Sequence, residues 1–129
     1  HHKHSHYLIA GSDLVGLTDE ERLLVAMLAR YHRKAVPSRE HEDFASLRRK
    51  DRALVERLAA ILRIADALDR QHASAIQDLQ VKIREDCVEL RPILRPGQQS
   101  RLTLEGRAVE EKGALFAQVF GKPVRLLAP

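Results

Sequence analysis

The chain has 129 residues, of which 44% are hydrophobic and 31% charged, with a net charge of +4 and a pI of about 9.6. This composition is ordinary for a globular protein of one compact unit or two small lobes, and it requires no metal or disulfide support. No apolar run is long enough to span a bilayer, and no secretory signal precedes these runs within the sequence. Cys87 is the single cysteine, so we expect a reducing, cytoplasmic setting.

The chain opens on a histidine-rich segment that predicts the latter part of a helix. Four of the seven histidines fall in the first six residues: His1, His2, His4 and His6. Lys3 and Ser5 interrupt the run, which favours native sequence over an expression tag. The segment continues as an apolar stretch to Ala10, and Gly11 is placed to close the helix in the left-handed conformation. Because no initiator methionine is present, we expect a fragment or a processed product.

A second helix is predicted after a connector over residues 12–17. Thr18 is followed three residues later by Glu21, which is the spacing of a capping box. Apolar residues then repeat at helical spacing up to about His32. Residues 35–47 contain a proline and many polar side chains and predict a loop, with Phe44 as its anchor.

A long helix is predicted from about Lys50 to Arg70. Its apolar stripe consists of Leu54, Leu58, Ile61, Leu62, Ala65 and Leu68. Asp69 falls near the middle of this stripe and Asp66 at its edge. A carboxylate on a buried face is costly unless it is hydrogen-bonded, paired or bound to metal. For either aspartate alone, we favour structural hydrogen bonding.

The pattern changes after residue 74 and predicts a small β-β-α-β lobe. Two short strands alternate apolar and polar residues around a turn near Asp86, with Leu79, Val81, Ile83, Val88 and Leu90 as the apolar members. A helix over roughly 103–120 follows, with core candidates Val109, Phe116, Val119 and Phe120, and a last strand covers 124–127. The fold class is therefore mainly α, an α+β arrangement of helices first and this lobe second.

Two kinds of side chain suggest chemistry. His4 and His32 lie on helices that could pack against the long one, and with a carboxylate they would supply three ligands to a divalent metal. Basic residues gather over 30–34 and 48–50, although most such residues simply solvate a surface. The sequence has no zinc-binding cysteine pair, HExxH motif, phosphate loop or glycine-flanked nucleophilic serine.

Five segments resemble the C-terminal region of the exopolyphosphatase and guanosine-pentaphosphate phosphohydrolase (Ppx/GppA phosphatase) family. The most specific of them is Tyr31-His32-Arg33-Lys34 at its distance from the histidine-rich opening. The segments are 4–9 (HSHYLI), 12–17 (SDLVGL), 29–34 (ARYHRK), 62–70 (LRIADALDR) and 116–124 (FAQVFGKPV).

This resemblance implies an HD-like helical domain over 1–74, truncated at its N-terminus, followed by the small lobe over 75–129. The family's principal phosphohydrolase site lies in an actin-like N-terminal unit that this chain does not resemble. By position, His4, His32 and Asp66 resemble metal ligands of HD-type phosphohydrolases, while the first histidine and the His-Asp pair would lie upstream of His1. No cofactor is certain, and Mg, Mn, Zn or Fe is the candidate metal.

The resemblance also suggests phosphate contacts from Arg30, His32, Arg33 and Lys34, since arginine binds phosphate in a bidentate manner. We expect an accessory domain of an exopolyphosphatase-type phosphatase that binds polyphosphate or guanosine pentaphosphate within its parent protein and assembles as a homodimer. The isolated chain would not itself release phosphate, and its catalytic residues are unknown. The alternative is a free-standing HD-type metal phosphohydrolase of nucleotides or phosphoesters. No membrane partner is expected, and nucleic acid is disfavoured because aromatic and basic residues are not interleaved.

Overall fold

A computed structural model describes residues 2–11 and 16–129, and the side chains of 5–11 and 16–129. The mainly helical α+β prediction is confirmed, with about half of the chain in helices and a small three-stranded sheet. Most of the predicted connector over 12–17 lies outside the described residues. The elements are α1 (His2–Ala10), α2 (Asp19–Tyr31), α3 (Glu42–Ala45), α4 (Arg49–Leu68), β1 (Ile76–Ile83), β2 (Val88–Leu94), α5 (Thr103–Lys112), α6 (Ala114–Phe120) and β3 (Val124–Leu126).

The chain divides into two compact units, His1–Leu62 and Arg63–Pro129. Helix α4 contributes residues to both units. The predicted domains, 1–74 and 75–129, follow secondary-structure content instead, and they remain a prediction. None of the described helices combines the length and the apolar character that crossing a membrane requires.

Helix α1 ends at Ala10, as the sequence predicted, but not for the predicted reason. Gly11 donates its N–H to the carbonyl of Tyr7 at 3.0 Å, which continues the helical pattern by one residue. Its φ is not among the positive values of the described glycines, so no left-handed closure occurs there. Glycine is favoured here for a different reason. A Cβ at Gly11 would lie 3.3 Å from the carbonyl oxygen of Tyr7, which is a tight contact.

The start of α2 confirms the predicted cap. The hydroxyl of Thr18 accepts a hydrogen bond from the backbone N–H of Glu21 at 3.1 Å, and Asp19, Glu20 and Glu21 occupy the first turn. These carboxylates favour the positive end of the helix dipole. The helix ends at Tyr31, one residue before the predicted end, with His32 as its C-cap.

Residues 35–47 are not entirely a loop, because they contain the single turn of α3. Phe44 lies in this turn and is 2% exposed, which confirms its role as the anchor. Its ring meets the ring of Tyr31 edge to face, with centroids 5.9 Å apart. The sequence missed the helix because tertiary burial of one aromatic residue decides it, and four residues carry no periodicity.

The predicted apolar stripe of α4 is wrong for most of its members. Leu54, Leu58, Ile61 and Leu62 are 40%, 40%, 50% and 38% exposed, and Ala65 is also exposed. The buried face carries smaller residues instead, namely Val55, Ala59, Ala60, Ile64 and Ala67. Both faces are apolar, so periodicity alone could not choose between them, and the larger side chains misled the prediction.

The sheet has the order β1-β2-β3, with β1 and β2 antiparallel and β2 and β3 parallel. The turn between the first two strands lies near Asp86, as predicted, and Arg84 N donates to Cys87 O at 2.8 Å. Pro92 lies in the central strand opposite Leu79. A proline is tolerated there because its nitrogen points away from β1, past the end of the three-residue β3.

The predicted helix over 103–120 is in fact two helices that meet at Gly113. A Cβ at this position would lie 2.5 Å from the carbonyl oxygen of Val109, so only glycine fits. Val109 is 1% exposed and Phe116 packs against the core, but Phe120 is 39% exposed and is not a core residue. Leu115, at 7% exposed, takes a core position that the sequence did not indicate.

Candidate functional site

Tyr31 organises the end of α2 and is fully buried. Its hydroxyl lies 2.6 Å from Nδ1 of His41, and the two rings stack with centroids 5.5 Å apart. Burial raises the pKa of this hydroxyl, while the charge of Arg30 and a hydrogen bond from the backbone of Ser38 lower it by smaller amounts. The loop is thereby tied to the helix end.

His32 has a fixed ring orientation. Its Nδ1 lies 2.7 Å from the carbonyl oxygen of Ala29, and a carbonyl can only accept, so Nδ1 carries the hydrogen. In the neutral ring, the lone pair therefore belongs to Nε2. A backbone bond of this kind is how many metal-binding or proton-accepting histidines are oriented.

The four predicted phosphate-binding residues lie together because they are neighbours in the sequence at the end of one helix. The guanidinium carbon of Arg30 lies 5.6 Å from the centroid of the Tyr31 ring, and its Nε is buried without a hydrogen-bond partner among the described residues. Arg33 is half-buried, whereas Lys34 is exposed and has a φ of 52°. No feature of the described structure tests whether they bind phosphate, so that assignment stays a prediction.

The electrostatics of this position offer a structural reason for the cations as well. The C-terminus of a helix is the negative end of its dipole, so Arg30 and its neighbours stabilise α2 without any ligand. A phosphate here would be held by side chains alone, because no backbone N–H groups point outward at a helix C-terminus.

The predicted metal ligands His4, His32 and Asp66 remain untested as a set. The side chain of His4 lies outside the described ones, and His32 and Asp66 belong to different compact units. Among the residues that are described, no three or more His, Cys, Asp or Glu side chains form a group able to hold a metal.

Asp66 has an electrostatic partner in Arg63. Arg63 is 7% exposed, and burial lowers the pKa of its guanidinium while the charge of Asp66 raises it. A carboxylate three residues along the helix therefore compensates a buried cation. A metal bound by Asp66 would compete with Arg63 for the same carboxylate.

Asp69 follows the structural reading that the sequence favoured. Its Oδ1 accepts the backbone N–H of Ser74 at 2.9 Å and so stabilises the turn after α4. The predicted apolar stripe in which Asp69 was placed, however, is not a buried face.

The sequence did not predict the contacts of three residues. His41 was given no role, because nothing in the sequence links a loop histidine to a tyrosine ten residues earlier. Arg63 lies inside a family-like segment but was not singled out. Glu105 is 3% exposed, and its Oε1 accepts from Nε2 of Gln71 at 2.9 Å. Burial of charged residues depends on tertiary packing, which no local pattern reports.

Comparison with known protein families finds a match over most of the chain. The model described as Ppx/GppA phosphatase, domain III, matches residues 1–104 of the chain. The matched range contains α1 through β2, and with them every residue of the candidate site.

Proposed function

Because the chain belongs to the Ppx/GppA phosphatase family, we propose that it is the C-terminal HD-like domain of an exopolyphosphatase-type phosphatase. In this proposal it binds polyphosphate and assembles the parent protein as a dimer, while the phosphohydrolase site lies in an actin-like unit outside this chain. The hydrolysis of polyphosphate or guanosine pentaphosphate thus belongs to the parent protein. The single cysteine fits a cytoplasmic location.

The observation that supports phosphate binding is the ordered cationic end of α2. The contacts of Tyr31 with His41 and Phe44 hold the backbone that carries Arg30, Arg33 and Lys34. A cationic surface on a fixed backbone loses less side-chain and loop entropy on binding than one on a free loop. Polyphosphate offers many equivalent anionic groups, so such a surface needs charge and position more than shape.

Binding of fluorescently labelled long-chain polyphosphate to the 129-residue chain tests the proposal. We expect affinity to fall linearly on a log–log plot against salt, by roughly 0.7–0.9 in slope for each phosphate neutralised. The double variant Arg33→Ala/Lys34→Ala should bind at least about tenfold more weakly and with a shallower slope. Phosphate release by the chain alone should stay at the level of buffer.

The matched control is Arg49→Ala/Lys50→Ala, which removes the same charge from the exposed start of α4. Its affinity should change far less than that of the first double variant. Equal losses in both variants would show that net charge, not this site, governs binding. Absence of binding by the unaltered chain would refute the polyphosphate role.

The orientation of His32 favours a second candidate, a divalent-metal phosphohydrolase acting on nucleotides or phosphoesters. The bond from Nδ1 to Ala29 leaves the lone pair of the neutral ring on Nε2, but the described residues do not complete a ligand set. We therefore assign no catalytic step to a metal. This candidate predicts one bound Mn, Zn, Fe or Mg per chain, reduced in His32→Ala and Asp66→Ala. Elemental analysis after dialysis measures it directly, and substoichiometric metal in the unaltered chain would exclude it.

A further inference from the structure

Strand β1 is the outer strand of the sheet, and within residues 16–129 no strand pairs with its second edge. Two of its apolar side chains are strongly exposed for a strand, with Val81 at 59% and Ile83 at 74%. An unpaired edge that carries apolar residues is a template for another strand.

The hydrogen bonding of the hairpin shows which groups point out of this edge. Arg84 N donates to Cys87 O, so this pair is hydrogen-bonded, and antiparallel pairs alternate from there. The pairs Ile83/Val88, Val81/Leu90 and Leu79/Pro92 are then the pairs without mutual bonds.

Two further contacts agree with this alternation. Val88 N donates to Pro123 O at 2.9 Å, and Leu90 O accepts from Leu127 N at 2.8 Å. These groups of β2 thus point away from β1. By the same alternation, the N–H and C=O groups of Leu79, Val81 and Ile83 point to the open edge of β1.

We propose that two copies of this chain pair antiparallel along β1, with Val81 on the two-fold axis. Val81 then lies opposite Val81 of the second copy, and Leu79 opposite Ile83. All three outward-bonding residues find hydrogen-bonding partners, and all three apolar side chains share one face with apolar neighbours.

Neighbouring registers fit less well. A two-fold axis at Gln80 places Ile83 opposite Gln77, and an axis at Lys82 places two like charges against each other. The irregularity between Ile76 and Asp78 ends the regular edge just before the paired segment. The register centred on Val81 therefore satisfies the strand best.

Charge complementarity supports the same register. It places Asp78 opposite Arg84 of the second copy, once on each side of the axis. In the single chain, the Oδ1 of Asp78 accepts the outward N–H of Leu79 at 2.8 Å. The carboxylate thus occupies the donor that the second strand would use. Pairing releases the carboxylate toward Arg84 of the second copy, whose guanidinium also pairs with Glu89 of its own chain.

The open edge of β1 is the interface of the proposed dimer. This inference rests on the proposed function only because that function includes a dimer. Sedimentation equilibrium of the 129-residue chain and of Val81→Lys and Val81→Glu tests it. We expect a dimer for the unaltered chain, at least about tenfold weaker dimerisation for each variant alone, and a heterodimer when the two variants are mixed. Ile93→Lys, on the opposite face of β2, is the control and should remain dimeric.

Unaltered circular dichroism and urea midpoints will show that the variants fold. A monomeric unaltered chain overturns both the interface and the proposed dimer. A dimer that survives both Val81 variants overturns the interface alone, since another surface must then hold the two copies. Variants that stay monomeric when mixed overturn the position of Val81 on the axis.

Discussion

The hydroxyl of Tyr31 connects a helix end to a loop through one oxygen. It bonds to His41 and to the backbone of Ser38, and the ring is fully buried. A buried polar atom that loses its partner costs more than the bond contributed. This residue should therefore matter more to stability than its single hydroxyl suggests.

Tyr31→Phe should lower the free energy of unfolding by about 1–3 kcal/mol, because it leaves Nδ1 of His41 and the N–H of Ser38 without this partner. Urea denaturation followed by circular dichroism measures the loss. Tyr7→Phe is the matched control, because Tyr7 is 76% exposed and its change should be within about 0.5 kcal/mol. Equal effects at the two tyrosines would contradict the buried hydrogen bonds.

Burial raises the pKa of Tyr31 above its ordinary value of 10.0, which predicts an alkaline loss of stability. Above that value, the unfolded chain releases a proton that the folded chain retains, so the stability contributed by the neutral phenol falls as pH rises. Below about pH 10 the contribution is complete. The difference in unfolding free energy between the unaltered chain and Tyr31→Phe should therefore shrink from pH 9 to 11, measured by urea midpoints. Parallel pH curves would contradict this prediction.

At the scale of the elements, two glycines that helix propensity treats alike have different surroundings in the structure. Gly106 and Gly113 both interrupt the predicted helix over 103–120, and helix propensity penalises both equally. In the structure, Gly106 lies within α5 with open space around it, whereas Gly113 ends α5 against the carbonyl of Val109.

Gly113→Ala should destabilise the chain by about 1–3 kcal/mol, because its Cβ would have to displace the backbone between α5 and α6. Gly106→Ala should instead stabilise it by up to about 1 kcal/mol, since only helix propensity changes. Thermal and urea unfolding of the two variants measure both signs. Stabilisation by Gly113→Ala would show that the break between the helices is not imposed by this contact.

Helix α4 exposes the larger of its two apolar faces. This face is a contiguous stripe at helical spacing that consists of Leu54, Leu58, Ile61 and Leu62. Contiguous exposed apolar patches usually mark a binding surface for a protein, a membrane or a ligand. In a native solution of this chain, the stripe should bind an apolar dye.

The fluorescence of 8-anilinonaphthalene-1-sulfonate should therefore rise on addition of the native chain, and Leu58→Lys/Ile61→Lys should remove most of that rise. Leu104→Lys is the control, because Leu104 is 51% exposed but lies on α5, away from the stripe in sequence. If the control lowers the signal as much, the dye does not report the stripe. Retained circular dichroism in all variants excludes unfolding as the cause.

For the whole molecule, local rules predicted the order and type of most elements. The cap at Thr18 and the hairpin turn near Asp86 each depend on a few neighbouring residues, and the structure contains both. The buried face of α4 could not be predicted, because the choice between Leu58 and Ala59 depends on what packs against the helix. The sequence therefore predicted the type and order of the elements more reliably than it predicted which of their faces are buried.

The candidate site shows the same division. Arg30, His32, Arg33 and Lys34 are close together by sequence alone, and the family match covers them. The contact of Tyr31 with His41 joins two segments whose distance along the chain has no characteristic value. Asp66 was noticed for its carboxylate, but its coupling to Arg63 required knowing that the arginine is buried.

Pro92 limits how far strand pairing can spread. It has no N–H to offer on the β3 side of the central strand, and β3 itself spans only three residues. The far side of the sheet therefore cannot recruit another long strand, and pairing along β1 stops after one addition. A fibre would need two open edges per chain, so this proline keeps association through the sheet finite.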